Sequence, residues 1–311
     1  MADEANVPPA QPGEPPRPNE AAVGFVLRLG KALHGYGLSS DALEHALQAM
    51  TDRLGIEANF FTTPTSIFAS FGPTERQHTH LIRVYPGEVD LGKLARLDAV
   101  TRDVEQGRLT LLEGSARVDA IMALPPISRP IVRVLGYGVA SAAICRILAG
   151  GLNEVVVAGV AGLLTGIISL ATGSLGRGTH VFELLASFAV SLTVNCVASV
   201  SGVRLSVPTA TLCGVIALLP GLTVTVAMIE LARRHLAAGT ARLSAAFLVF
   251  LTIAFGVAVG GEVAQAIVGN VRSLAPRPLP AWTLTLALAV APLAFGVLLR
   301  ARLRDFPWLW L

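Results

Sequence analysis

The chain has 311 residues, 53% of them apolar and 14% charged, with 24 Lys/Arg against 21 Asp/Glu. The charges are unevenly placed, because beyond residue 130 the only acids are Glu154, Glu183, Glu230, Glu262 and Asp305. This excludes a uniformly soluble protein, and it removes nucleic acid as a partner implied by the basic excess, since that excess sits at the ends of apolar segments.

Residues 1–20 contain Pro8, Pro9, Pro12, Pro15, Pro16 and Pro18 and no apolar run, so they read as a disordered cytosolic tail rather than a signal peptide. From Ala21, apolar residues at Val23, Val26, Leu27, Leu29 and Ala32 fit an amphipathic helix. Ser39-Ser40-Asp41 caps a second helix, which runs to about Leu54 and is stopped by Gly55. Two β-rich runs follow, Ala58 to Thr63 and Ser66 to Phe71, joined at Pro64, and a third from His80 to Tyr85 ends at Pro86-Gly87. They predict a small antiparallel sheet. Helices from about Leu91 to Glu105 and Thr110 to Met122 complete a cytosolic α+β domain over 21–127, with Pro125-Pro126 at its boundary.

Six apolar segments of spanning length follow, at 131–150, 154–172, 183–202, 205–232, 243–268 and 281–301. The expected fold is therefore a small α+β domain followed by an all-α polytopic transmembrane bundle with one broken helix. About five spans fall in 128–275 and one more in 276–311. The fourth segment is broken near its middle by Pro220-Gly221: proline removes a backbone donor and glycine adds freedom. If it crosses once, Arg129, Arg133, Arg177, Arg233, Arg234, Arg242, Arg300, Arg302 and Arg304 lie inside, and only Arg146, Arg204, Arg272 and Arg277 outside. Two crossings would reverse that bias, so the positive-inside rule favours one.

The pairs Gly162/Gly166 and Gly256/Gly260 predict close helix packing. Cys145, Cys196 and Cys213 read as small buried hydrophobes, without a CxxC pair or histidine partner. Ser191, Asn195 and Ser199 form one polar stripe, which either bonds a neighbouring helix or faces a pore as part of a substrate site. Thr223 and Thr225 follow the break. There a half-helix presents unpaired N–H groups suited to a carboxylate, which makes Pro220, Gly221, Thr223 and Thr225 candidate substrate-binding positions.

Among the acids, Glu230 precedes Arg233 and Arg234 by three and four residues and reads first as a helix-surface pair. Glu183 suits the first turn of its helix, and Glu154 reads as solvated. Glu262 lies in an apolar stretch beside Gly260-Gly261 and is the leading candidate for proton coupling, with Glu230 second. His78 and His80 read as solvated edge residues rather than metal ligands, and no nucleophile context is legible. No enzyme activity, cofactor or metal is expected.

The blocks NFFTTPTSIFASFG (59–72), HLIRVYPGEVDLGKLARLDAV (80–100) and LLPGLTVTVAMIELARRHLAAGTARL (218–243) resemble those of the bacterial threonine/serine exporter family. The resemblance covers Val23 onward. It carries over to Pro64-Thr65-Ser66, Pro86-Gly87-Glu88-Val89-Asp90, Pro220, Gly221, Thr225, Glu230, Gly239 and Arg242. It implies a multi-pass inner-membrane protein in the lipid bilayer, N-terminus cytosolic, exporting L-threonine or L-serine with proton entry. Ala42 departs from the pattern, standing where members often have a basic residue shortly before the acid that aligns with Glu44. The segment from Pro278 resembles the opening of the family's second membrane half, which implies truncation at Leu311 or completion by another membrane subunit or a homo-oligomer. Alternatives are a dicarboxylate exporter subunit with a separate membrane partner, or a membrane scaffold or sensor that does not transport.

Overall fold

The computed structural model describes residues 20–85, 87–125, 128–173, 181–200, 204–270 and 272–310. The proline-rich tail up to residue 19, Pro86, Pro126 and Arg177 lie outside the described residues.

The first part comprises α1 (Glu20–Gly35), α2 (Ser40–Arg53), β1 (Ala58–Thr63), β2 (Ser66–Phe71), β3 (His78–Arg83), α3 (Leu91–Glu105) and α4 (Leu111–Ala123). Ser39 caps α2 through the Ala42 N–H. The helix ends at Gly55, whose φ of 67° lets Ile56 N–H reach the Thr51 carbonyl at 2.9 Å. The sheet is antiparallel in the order β1-β2-β3, with Phe61 opposite Phe68 and Phe68 opposite Leu81. β3 begins two residues earlier than the apolar run suggests, because its register is set by pairing along the whole of β2, from Phe71↔His78 to Ser66↔Arg83. The i, i+3, i+4 spacing of α1 buries Phe25, Val26, Leu29 and Leu33 against Leu43, Leu47 and Met50 of α2, Ile67 and Phe71 of β2, Leu97 of α3 and Val118 of α4.

A second set of helices has its own core. It comprises α5 (Pro130–Ile147), α6 (Leu152–Thr172), α7 (Val181–Val200), α8 (Val207–Gly214), a 3-10 turn (Ile216–Leu218), α9 (Gly221–Ala232), α10 (Leu236–Val268), α11 (Trp282–Leu298) and a 3-10 stretch (Leu303–Trp310). Among the described residues α5, α6, α7 and α10 are long and apolar enough to cross a membrane. The segments Val207–Gly214 and Ile216–Ala232, bent by 41° at their junction, pass the same test together and make a fifth if they are one span.

Two segments differ from expectation. The last apolar helix has 17 residues rather than the 21 expected, which is about 25 Å at 1.5 Å per residue. It sits at the short end of the spanning range. Helix α10 has 33 residues and begins at Leu236 rather than 243. The Ala-rich stretch before Arg242 continues the helix beyond the apolar run, because helix propensity there does not depend on hydrophobicity.

The glycine pairs pack as expected. A Cβ on Gly166 would stand 2.8 Å from Val134 Cα of α5, and one on Gly260 2.5 Å from the Phe188 carbonyl of α7. Cys145 and Cys213 are buried with Ala158, Cys196 is half-buried, and all three thiols are free.

The α+β part sits at one end of the bundle. Leu91 and Gly92 at the start of α3 donate to the carbonyls of Leu299 and Arg300 past the end of α11, each at 3.1 Å. Arg300 also pairs with Glu88, and Arg133 lies 3.8 Å from that same carboxylate. At the opposite end Arg146 donates to Thr283 and Asn153 to the Arg204 carbonyl. Among the described residues, Arg133 and Arg300 thus lie at one end of the bundle and Arg146 and Arg204 at the other.

Candidate functional site

The break follows from proline stereochemistry. The residue before proline is pushed out of the helical region, and Leu219 stands at φ −65°, ψ 128°. Leu218 and Leu219 close a tight turn onto Val215 and Ile216, Gly221 N–H bonds back to Leu219, and α9 then starts afresh. At the α9 N-terminus the N–H of Val224 reaches Pro220, which leaves those of Leu222 and Thr223 without an intrahelical acceptor. Gly221 and Leu222 are exposed and Thr223 is half-buried. A Cβ on Gly221 would meet nothing within 4 Å, so Pro220 rather than Gly221 dictates the break. Thr225 spends its hydroxyl on the Gly221 carbonyl at 2.9 Å.

The two half-helices are held very differently. On α8, Ala210, Thr211, Cys213 and Gly214 are all buried, and Gly214 packs so tightly that a Cβ would meet Val190 at 2.7 Å and Ala161 at 2.9 Å. Thr165 of α6, fully buried, donates to the Gly214 carbonyl at 3.4 Å and to Ala161 at 3.1 Å, serving a carbonyl that the break frees. On α9 only Ala227 and Glu230 are buried, and its main packing partner is α10. One half is fixed in the bundle; the other is an arm of a helical hairpin.

Glu154 is not solvated but buried, 2% exposed. Its Oε2 accepts the Gly151 N–H at 3.0 Å and its Oε1 the Ser206 N–H at 2.7 Å, so one carboxylate ties the start of α6 to the start of α8. Two helix N-termini supply donors and favourable dipole ends, which is why the charge tolerates burial.

Glu230 likewise departs from the surface-pair expectation. It is 0% exposed, and its Oε1 accepts the Arg242 Nε–H of α10 at 3.1 Å and the backbone N–H of Ser40, in the first turn of α2, at 2.8 Å. Arg233 turns instead to Asp41, and His235 stands 3.5 Å from Asp41 and 3.8 Å from Glu44. Glu44 accepts both the N–H and the hydroxyl of Thr62 at 2.7 Å, joining the cluster to β1. Buried close by, His34 meets the Thr63 carbonyl at 2.7 Å. Burial holds its imidazole below the ordinary value, against that hydrogen bond, which acts to raise it.

The polar stripe faces α10. Ser191 donates to the Val257 carbonyl at 2.7 Å and Ser199 to Val268 at 3.3 Å, while Asn195 donates to the Ser191 carbonyl of its own helix. Glu262 is exposed on α10. Because α10 starts early, Glu262 stands about 15 Å from the helix midpoint at 1.5 Å per residue. An apolar groove of about 340 Å³ between α5 and α11 is lined by Ile144, Ile147, Leu288, Pro292 and Phe295 among others, and offers no polar side chain to a charged solute. His78 and His80 are exposed on β3.

Sequence reasoning missed Glu154, Thr165 and Ser40. A glutamate three residues after Gly151 is the local sign of an N-terminal cap and signals the first. Nothing local marks the other two, whose partners lie 49 and 190 residues away.

Residues 24–264 match the model of the family described as "Putative threonine/serine exporter". The chain belongs to this family. Among curated relatives of this exporter-family chain, an uncharacterized protein of Schizosaccharomyces pombe is 31% identical over 76% of the chain and 32% of its own length. Pheromone-regulated membrane protein 10 of Pichia sorbitophila is 28% identical over 76% and 24%, and that of Saccharomyces cerevisiae 26% over 91% and 37%. The chain thus spans about a quarter to just over a third of the length of these fungal relatives. No solved structure matches it. It is a membrane-spanning protein of the exporter family.

Proposed function

We propose that this protein is a secondary transporter of the bacterial inner membrane, N-terminus in the cytosol, that exports small polar amino acids, L-threonine or L-serine. The observation that carries the reading is the broken span. In lipid, free backbone donors cost several kcal/mol each unless they face protein or a water-filled path. The N–H groups of Leu222 and Thr223, with the Thr223 hydroxyl and that of Thr225 once it leaves the Gly221 carbonyl, suit the solute's carboxylate at the positive end of a half-helix. Pro220 creates that end with Gly221 as its first residue, and Ser191 and Asn195 are the further substrate positions of this reading, each having to turn from its carbonyl partner. A second membrane subunit or a second copy covers the exposed side of the break.

Proton entry drives the export in this reading. One proton moving through 100 mV supplies about 2.3 kcal/mol, enough for a concentration ratio of roughly fifty. Glu262 and Glu230 are the candidate acids. Glu230 is tied to Arg242 and Ser40, so a proton taken up there removes the charge that faces Arg242, whereas Glu262 on the open face of α10 carries no such tie among the described residues.

One observation favours a second reading, a membrane scaffold or sensor that does not transport: Ser191, Ser199 and Thr225 spend their hydroxyls on helix carbonyls. Radiolabelled efflux separates the two. Cells carrying the gene, preloaded with threonine, serine or a C4 dicarboxylate, should lose the amino acids several-fold faster than cells without it. Equal rates for all three solutes favour the scaffold.

A further inference from the structure

Among the described residues, the inner end of α9 meets the α+β part at a buried point. Glu230 receives the Ser40 N–H from α2 on one side and Arg242 from α10 on the other, and the Glu230 carbonyl accepts the His235 N–H at 2.8 Å to close the hairpin turn. Arg234 in that turn has a φ of 67°, a left-handed conformation that costs a side-chain-bearing residue about 1 kcal/mol. The turn is held in this shape by its surroundings, and outside it Arg233 and His235 face Asp41 and Glu44 of α2. From Gly221 to Ala232, α9 is a rigid rod of about 18 Å with the break at its other end. We infer that Glu230 is a positioning residue: through it, docking of the α2 N-terminus holds α9 at its angle to α8, so the α+β part governs the opening of the break. The control of transport rests on the proposed exporter reading; the mechanical restraint does not.

Ser40→Pro tests this, because the proline ring takes the place of the hydrogen that Glu230 receives and displaces the carboxylate. Ser40 is the first helical residue of α2, where proline is well tolerated, and Ser39 at φ −65°, ψ 152° already has the conformation that a following proline demands. The substitution removes the N–H that Glu230 accepts. Glu230→Met with Arg242→Met, which removes the acceptor of the Ser40 N–H together with the charge that faced it, serves as the second variant should the first not fold. Amide hydrogen exchange of the purified full chain in lipid nanodiscs is read for Gly221–Ala232 and for Leu152–Thr172, alongside efflux of labelled threonine from vesicles. The expected result is exchange at least tenfold faster in α9 with α6 unchanged, and an efflux rate altered at least threefold. Unchanged exchange in α9 in both variants overturns the restraint, and faster exchange with parental efflux overturns its control of transport. If the parent exports nothing, the exporter reading fails while the exchange comparison still decides the restraint.

Discussion

Glu230 and Arg242, twelve residues apart on the two arms of a helical hairpin, form an ion pair at 3.1 Å in which the carboxylate is fully buried. Removing one partner leaves the other charge without compensation in a low-dielectric setting, at about 3–5 kcal/mol. Replacing both by apolar residues of similar volume is close to neutral. Thermal unfolding in detergent should therefore show Glu230→Ala strongly destabilised, and the double variant Glu230→Met with Arg242→Met recovering all but the ~1–3 kcal/mol lost where the buried Ser40 N–H has no acceptor. Equal losses in both would show that the pair's energy lies elsewhere.

His34 sets a pH dependence with a definite sign. Burial holds its folded-state imidazole below the ordinary value of 6.5, so between the two values the unfolded chain binds the proton first. Its contribution to stability is complete above pH 6.5 and is lost as pH falls toward the folded-state value. Urea unfolding followed from pH 7.5 to 5 should show stability falling with acid in the parent, and His34→Gln should flatten that slope by up to one proton per unfolding event. An unchanged slope would mean that His34 does not titrate differently on folding.

Much of this architecture can be read locally. β1, β2 and α3 fall at the residues expected for them, with Asp90 capping α3, and the proline at 220 announces the broken span. Alternation, capping and proline stereochemistry act within a few residues, so a single sequence displays them. Glu154 and Glu230 were misread for the opposite reason: their charge is compensated by Ser206, Ser40 and Arg242, which only the folded chain brings to them. Sequence spacing offered Glu230 two nearer arginines, yet Arg233 points to Asp41. The early start of α10 escaped notice because hydropathy ends where helix propensity does not.

Topology follows from the division of arginines between the two ends of the bundle. In a background without Cys145, Cys196 and Cys213, single cysteines at Ala237 and Arg272, both exposed, should react oppositely with an impermeant maleimide added to intact cells. Arg272→Cys should label and Ala237→Cys should not until the membrane is opened. Labelling of Ala237→Cys from outside would place the α9–α10 turn on the wrong face and end the single-crossing arrangement.

The central claim is that the break at Pro220 exposes the donors on which transport depends. The most direct measurement is efflux per folded molecule from vesicles containing the parent, Pro220→Ala with Gly221→Leu, Gly221→Ala alone, and Thr225→Val, each normalised to monodisperse protein. Restoring a continuous helix in the double replacement should lower efflux at least tenfold, about 1.4 kcal/mol in a binding or barrier free energy. Gly221→Ala, which meets open space, should export nearly as the parent does. Parental efflux from a well-folded double replacement would show that the bend is a packing kink and that the solute path lies elsewhere.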